Sequence, residues 1–129
     1  MIQVSHLTKV YGDHIAAKDV TFSIDKGCIC GFLGPNGAGK STTMNMITGY
    51  LAPNSGTVEI NGVSMQKEPI KAKKMIGYLP EIPPIYPDMT VLEFLSFAAE
   101  LKGILKFQRA DEVNRVIEKA GLEGVKTRV

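Results

Sequence analysis

The chain has 129 residues, 44% of them hydrophobic and 22% charged, which is typical of one globular domain with a modest core. Its net charge of +2 does not indicate a nucleic-acid partner or a polybasic membrane surface. No apolar run reaches the length of a membrane span, because Glu93 and Glu100 interrupt the longest one, Val91–Leu101. The N-terminus has no signal-sequence pattern, so we expect a cytosolic chain.

The first elements predicted are two strands. Apolar residues alternate over Ile2–Val10 and again over Val20–Ile24. We expect these strands to pair, joined by Tyr11-Gly12-Asp13-His14 and a short irregular stretch. The turn Asp25-Lys26-Gly27 then leads into Cys28–Leu33, an apolar run typical of a buried strand.

The two cysteines lie in that third run. Cys28 and Cys30 are two residues apart, a spacing at which the thiols are poorly placed to bond to each other. Two thiols also cannot complete a structural zinc site. We therefore expect buried, reduced cysteines.

A glycine-rich loop follows the apolar run, and it fits the pattern G-x-x-x-x-G-K-[ST] known as Walker A. Such glycines allow a phosphate to approach the main chain, and the positive end of a helix over Ser41–Thr48 would face the same point. The alternative is a chance turn before a lysine, which should arise on the order of once in a few hundred chains of this length. The motif therefore predicts a nucleoside triphosphate site at Gly34-Pro35-Asn36-Gly37-Ala38-Gly39-Lys40-Ser41.

Three side chains of this loop have separate predicted roles. Lys40 suits the β- and γ-phosphates, where it would also stabilise charge during phosphoryl transfer. The Ser41 hydroxyl is the expected ligand for Mg²⁺, which prefers oxygen and keeps several waters. Thr42 is next in line for an α-phosphate contact.

The chain between the loop and the first proline cluster alternates turns with short elements. We expect the loop's helix to end near Gly49, and a half-exposed strand to cover Thr57–Ile60 before a hairpin turn at Asn61-Gly62. A short helix is predicted over Pro69–Lys74, with its lysines interpreted as a solvated face. Met75–Leu79 has the pattern of another strand.

The last third of the chain is predicted to be helical. Four prolines make Pro80–Met89 a stiff extended loop that cannot join a sheet interior. Thr90-Val91-Leu92-Glu93 is a capping box that predicts a helix from Val91 to Lys102, interrupted by Gly103. A second helix is expected over Phe107–Ala120 with Gly121 as its stop. We interpret both helices as packing elements.

These motifs together resemble the ATP-binding subunits of ABC transporters, and the likeness covers essentially the whole chain. The resemblance implies an α/β fold of the P-loop NTPase class and ABC type. Its parts would be a core with the P-loop strand-loop-helix over residues 1–79, a Q-loop hinge over 80–90, and the start of a helical subdomain over 91–129. The likeness is carried by residues 34–42, Gly56–Gly62, Ile76–Glu81 and Met89–Glu93.

The same resemblance implies ATP and Mg²⁺ as cofactors. Tyr11 matches the aromatic residue that stacks on adenine in this family, although a tyrosine ending a strand is the plain alternative. Glu81 stands where most members have a Gln that contacts Mg²⁺ or the attacking water. Glu81 can still ligate Mg²⁺ but adds negative charge near the γ-phosphate, and the alternative is an exposed loop carboxylate. The nucleotide would be held by Tyr11, Gly34, Pro35, Asn36, Gly37, Ala38, Gly39, Lys40, Ser41 and Thr42.

Several family motifs do not occur in this sequence: the signature motif, Walker B, the D-loop and the switch His. His6 and His14 precede the loop, and we interpret them as surface or strand-end residues. The resemblance also implies that the C-terminal half of the core sheet is missing. We therefore expect this chain alone to bind ATP weakly, to hydrolyse it negligibly and to be marginally stable.

In a complete cassette, the resemblance implies ATP hydrolysis that powers transport. The partners would be a transmembrane permease and a second cassette, at the inner face of the membrane. Leu79-Pro80-Glu81 resembles the branch that serves ABC-2-type exporters, which favours export over import. A truncated, non-catalytic nucleotide-binding module and a soluble non-transport cassette remain alternatives. A GTPase would need a guanine-reading motif, and none occurs.

Overall fold

A computed structural model describes residues 1–129, which divide into two units, Met1–Tyr78 and Leu79–Val129. No helix combines the length and hydropathy that crossing a bilayer requires. The first unit contains the strands β1 (Ile2–Tyr11), β2 (His14–Ile24), β3 (Ser55–Ile60) and β4 (Val63–Ser64), and the helices α1 (Lys40–Ile47) and α2 (Pro69–Lys74). The second contains α3 (Val91–Leu101), α4 (Lys106–Ala120) and a 3₁₀ turn at Glu123–Val125.

One antiparallel sheet organises the first unit, in the strand order β2-β1-β3-β4. β1 and β2 form the expected hairpin, but its turn is only Gly12-Asp13 and β2 begins directly at His14. The irregular stretch that the sequence indicated is therefore part of β2. Asn61 and Gly62 make the predicted hairpin turn, both with positive φ, the conformation that a two-residue turn of this kind needs.

The irregularity of the β1–β2 hairpin lies within its ladder. The register shifts three times along β1, between Val4 and Leu7, between Leu7 and Lys9, and between Lys9 and Val10. His6 and Asp19 both have positive φ in this part of the hairpin. His6 Nδ1 lies 2.7 Å from Asp19 Oδ1, with both side chains exposed. His6 and His14 are thus on the surface, as the sequence indicated.

One face of the sheet is covered by helices and forms the core of the first unit. Its largest fully buried apolar side chains come from β1, β3 and α1, where alternating strand residues meet the apolar side of the helix. Ala72 of α2, which is fully buried, joins the same cluster. This packing holds the C-terminal end of α1, at Met46 and Ile47, against the sheet. The largest of the fully buried apolar residues are Val4, Leu7, Met46 and Val58.

Two predicted strands do not form. Cys28–Leu33 and Met75–Leu79 have no regular secondary structure, and the side chain of Ile29 is fully exposed. Cys28 and Cys30 are free and exposed, so the prediction that they are buried was wrong. The reason is that a strand needs a partner for its backbone N–H and C=O groups, and neither segment joins the ladder of β1 to β4.

The second unit is a pair of packed helices. The predicted capping box at Thr90 and Glu93 is present, and α3 and α4 pack through a small cluster of Ala99, Val113 and Ile117. Gly103 follows the end of α3 and Gly121 caps the end of α4. Both have positive φ, as expected for helix stops. No helix or strand occurs in residues 80–89, which agrees with the proline pattern.

Candidate functional site

The glycine-rich loop ends where α1 begins, and its last glycine caps that helix. Gly39 has a left-handed conformation, with φ 83° and ψ 12°, and no side chain caps the helix. The first helical bond runs from the Thr43 N–H to the Gly39 carbonyl at 2.8 Å, so the N–H groups of residues 40–42 precede the helix's own bonding. The first turn also contains no acidic residue. This helix start therefore offers free donors and a positive dipole to an anion.

Gly39 is required for space as well as for conformation. A Cβ atom at this position would lie 2.1 Å from the carbonyl oxygen of Ala16 on β2. Gly37 has nearly the same φ, 82°, but a Cβ there would meet nothing within 4 Å. The loop is thus held tightly against the sheet at Gly39 and projects into open space at Gly37.

Lys40 closes the loop on itself. Its ammonium donates to the Gly34 carbonyl at 2.6 Å and to the Pro35 carbonyl at 2.7 Å, while the Ala38 N–H also donates to Pro35 at 3.2 Å. An ammonium has three donors and no acceptor, so phosphate oxygens could replace these neutral carbonyls as stronger, charge-assisted partners. The arrangement holds one cation beside the free donors of α1.

The remaining loop residues differ in exposure. Ser41 is exposed in the first turn of α1, while Thr42 is half-buried. Pro35, Asn36 and Ala38 lie exposed in the loop. No group of three or more His, Cys, Asp or Glu side chains converges to hold a metal ion. A cation that keeps most of its waters and takes phosphate oxygens fits a single hydroxyl such as that of Ser41.

Tyr11 lies at the end of β1, at the turn of the hairpin that supports the loop. It is 50% exposed, and Lys9 Nζ lies 5.2 Å from its ring centroid. Tyr11 pairs with His14, only two residues before Ala16, whose carbonyl contacts the cap of α1. Two strand residues span about 7 Å, so Tyr11 and the loop lie at the same end of the sheet. Whether the ring stacks on adenine stays a prediction.

Glu81 belongs to the second unit. Its carboxylate is exposed, in an irregular segment. It has no ion-pair partner within the chain, which leaves it free to bind a cation. Its position relative to Ser41 stays a prediction, as does its role as a metal ligand.

Sequence reasoning missed two groups, one that supports the loop and one that contacts the helix after it. The Ala16 carbonyl forms the surface on which Gly39 rests. The Tyr78 hydroxyl reaches Asn45 Oδ1 at 3.5 Å, which connects the segment after α2 to α1. Both contacts join residues more than twenty positions apart, and no local pattern marks such a pairing.

Comparison with known proteins identifies the family. A family model described as ABC transporter matches residues 17–129. The uncharacterized ABC transporter ATP-binding protein YxlF of Bacillus subtilis is 39% identical over 95% of this chain and 40% of its own length. The linearmycin resistance ATP-binding protein LnrL of the same organism is 38% identical over 95% of this chain and 39% of its own. The probable multidrug ABC transporter ATP-binding protein YbhF of Escherichia coli is 35% identical, over 97% and 22%.

Solved structures agree with this assignment. The ATP-binding subunit of an ABC transporter has 31% identity and a TM-score of 0.85, over 98% of this chain and 53% of its own. The cassette MJ0796, a dimer bound to ADP and Pi, has 26% identity and a TM-score of 0.80, over 98% and 60%. The chain thus spans about two fifths of the first two curated relatives and just over half of these structures. Because the family model covers most of its residues, this chain belongs to the ABC transporter family, within the P-loop fold of the ATP-binding cassette.

Proposed function

We propose that the chain binds Mg-ATP through the loop from Gly34 to Thr42. The observation that carries this proposal is the start of α1, where three backbone donors and the Lys40 ammonium lie together with no acidic residue in the first turn. A triphosphate satisfies all of these donors at once, since each phosphate supplies several acceptor oxygens. Family membership supports ATP as the nucleotide.

Each side chain of the site has a distinct task in this proposal. The Lys40 ammonium exchanges its two carbonyl partners for oxygens of the β- and γ-phosphates. Ser41 supplies one oxygen to Mg²⁺, and Glu81 a second. Bound Mg²⁺ offsets the phosphate charge, and Tyr11 stacks on the adenine ring. Gly34, Gly37 and Gly39 keep the backbone close to the phosphates.

We further propose that ATP hydrolysis in the complete cassette powers export across a membrane. The partners would be a transmembrane permease and a second cassette, at the inner membrane face, with residues 80–90 as the hinge between the nucleotide-binding core and the helical subdomain. Export is supported by Leu79-Pro80-Glu81 and by two relatives whose names refer to linearmycin resistance and to multidrug transport. Dimerisation is supported by the dimeric MJ0796 structure.

A titration with a fluorescent ATP analogue and Mg²⁺ tests nucleotide binding. Lys40→Ala should weaken affinity about 10- to 100-fold, because it removes charge-assisted hydrogen bonds worth about 1.5–3 kcal/mol. Lys18→Ala is the matched control, since Lys18 is an exposed lysine of β2 outside the loop. Equal affinities for the wild type and Lys40→Ala would refute the assignment of the loop.

The role of Glu81 needs a separate comparison. Glu81→Ala should reduce the gain in ATP affinity that Mg²⁺ provides, while metal-free ATP binds no more weakly than to the wild type. Asp88→Ala serves as control, because Asp88 is another exposed carboxylate of the same proline-rich segment. If both variants respond to Mg²⁺ as the wild type does, Glu81 is not a metal ligand in this chain.

A further inference from the structure

One side of α2 gathers cations around an exposed apolar side chain. We call it the lysine face and define it by Lys67, Ile70, Lys71 and Lys74. These positions are spaced three, four and seven residues apart, so they lie along one side of the helix and the turn before it. The opposite side carries Ala72, which is fully buried in the core. The short helix is thus anchored on one side and presents the lysine face to solvent.

The local charge differs from the average of the chain. Three lysines lie on this face against one carboxylate, Glu68, which pairs with Lys71 at 3.2 Å. Lys73 adds a fourth cation nearby, with its stem beside Gly49. The net charge of +2 for the whole chain therefore conceals a concentrated positive patch. Long-range attraction to an anionic partner depends on such local charge.

Ile70 is the second feature of the face. Its side chain is 75% exposed, although it lies at the centre of the lysines. The stems of these lysines and Ile70 surround a shallow concavity of about 410 Å³. An apolar side chain ringed by cations suits an anionic lipid surface, which accepts Ile70 at the acyl boundary while the ammonium groups remain among the headgroups. A polyanion without apolar side chains, such as polyglutamate, would match the charge but leave Ile70 without an apolar partner.

We propose that the lysine face docks on an anionic lipid surface. The contact is peripheral and reversible, since one short helix buries few apolar atoms. The contact does not use the nucleotide loop, so the proposal does not depend on ATP binding. The α2 lysines interpreted from sequence as a solvated face would instead hold the first unit against the headgroups.

Co-sedimentation with vesicles tests this docking. The full chain should bind phosphatidylglycerol vesicles at about 0.1 M salt, not bind phosphatidylcholine vesicles, and be released near 1 M salt, where screening acts over about 3 Å. Lys71→Gln together with Lys74→Gln should lower the partition coefficient about 25-fold, since each lysine near such a surface contributes about fivefold. Ile70→Ser should weaken binding while leaving its salt dependence unchanged. Chain pelleting without vesicles is subtracted.

Three results would overturn the proposal. One is equal binding to neutral and anionic vesicles, or to neither. Another is an equal loss in the control Lys18→Gln with Lys26→Gln, which removes two exposed lysines outside α2. The third is salt-dependent binding to soluble polyglutamate without binding to vesicles, which would assign the face to an acidic protein instead.

Discussion

At the residue scale, Gly39 and Gly37 share a backbone conformation but not an environment. Their φ values are 83° and 82°, yet only Gly39 lies against the Ala16 carbonyl. Alanine at either site must adopt a left-handed conformation, which costs about 1–2 kcal/mol. At Gly39 it must also displace backbone, which adds about 1–3 kcal/mol. We expect Gly39→Ala to lower the free energy of unfolding in urea by about 2–5 kcal/mol.

Gly37→Ala is the matched comparison. It carries the same conformational penalty without the collision, so its loss should stay near 1–2 kcal/mol. Urea unfolding of the two variants side by side separates the two effects. Equal losses would mean that the close contact between the loop and β2 does not exist in solution.

Tyr11 permits a second test at this scale. Tyr11→Ala should weaken binding of ATP by about 0.5–1.5 kcal/mol, because stacking on adenine is lost, and should leave binding of tripolyphosphate unchanged. Calorimetric titration of both ligands measures the difference. Tyr50→Ala is a suitable control, since Tyr50 is 83% exposed and lies outside the loop. An equal loss for ATP and tripolyphosphate in Tyr11→Ala would remove the stacking role.

At the element scale, the start of α3 depends on a reciprocal cap. The Thr90 N–H and hydroxyl both donate to Glu93 Oε2 at 2.8 Å, and the Glu93 N–H donates to Thr90 Oγ1 at 3.3 Å. The backbone N–H of Thr90, followed by its hydroxyl, holds the pKa of Glu93 below its ordinary value. A carboxyl whose pKa is lowered by folding stabilises the folded state above its unfolded pKa, and that contribution is lost as the pH falls through the folded value.

The cap therefore makes the stability of α3 depend on pH, with a loss in acid. Because Gln can form the same box without the charge, we expect Glu93→Gln to be less helical than the wild type at neutral pH, and the two to converge only when the pH falls below the lowered folded pKa of Glu93. Far-ultraviolet circular dichroism from neutral to acidic pH measures this. Glu118→Gln, an exposed change within α4, should follow the wild type throughout. A difference between Glu93→Gln and wild type that persists unchanged in acid would contradict the cap.

The elements that sequence predicted well are those whose signals are local. The cap at Thr90, the turn at Asn61-Gly62 and the helix stop at Gly121 each depend on a few adjacent residues. Cys28–Leu33 and Met75–Leu79 failed because a β-pattern describes side chains and not the presence of a partner strand. The exposure of Cys28 and Cys30 follows from the same missing ladder.

The candidate site likewise combines features that are local in sequence with features that depend on the fold. The glycines, Lys40 and Ser41 could be selected as candidates from the sequence because a phosphate-binding loop needs those residue types at a fixed spacing within a few residues. The support of Gly39 by the Ala16 carbonyl could not, since only the folded sheet brings β2 to the loop. The lysine face of α2 could not be predicted either. It is recognised only once the fold shows that Ala72 is buried and Ile70 is exposed to solvent.

At the scale of the whole molecule, large apolar side chains remain in water. Ile29, Leu33, Leu79 and Ile82 are each at least 79% exposed. Such exposure contributes nothing to folding and favours association. We expect a low, broad thermal transition. Mg-ATP at 100 times its dissociation constant should raise the transition temperature, because it adds about 2.7 kcal/mol to the free energy of unfolding. A cooperative, high-temperature transition without nucleotide would contradict this expectation.

Mg-ATP binding at the start of α1 is the central claim, and amide chemical shifts test it most directly. In the ¹⁵N-labelled chain, Mg-ATP should shift the N–H resonances of residues 37–42 most strongly, because phosphate oxygens become their acceptors. At a nucleotide concentration near the wild-type dissociation constant, the same shifts should be much smaller in Lys40→Ala, because its affinity is expected to be about 10- to 100-fold lower. Shifts confined to residues outside this loop, or a response of Lys40→Ala identical to that of the wild type, would contradict the account.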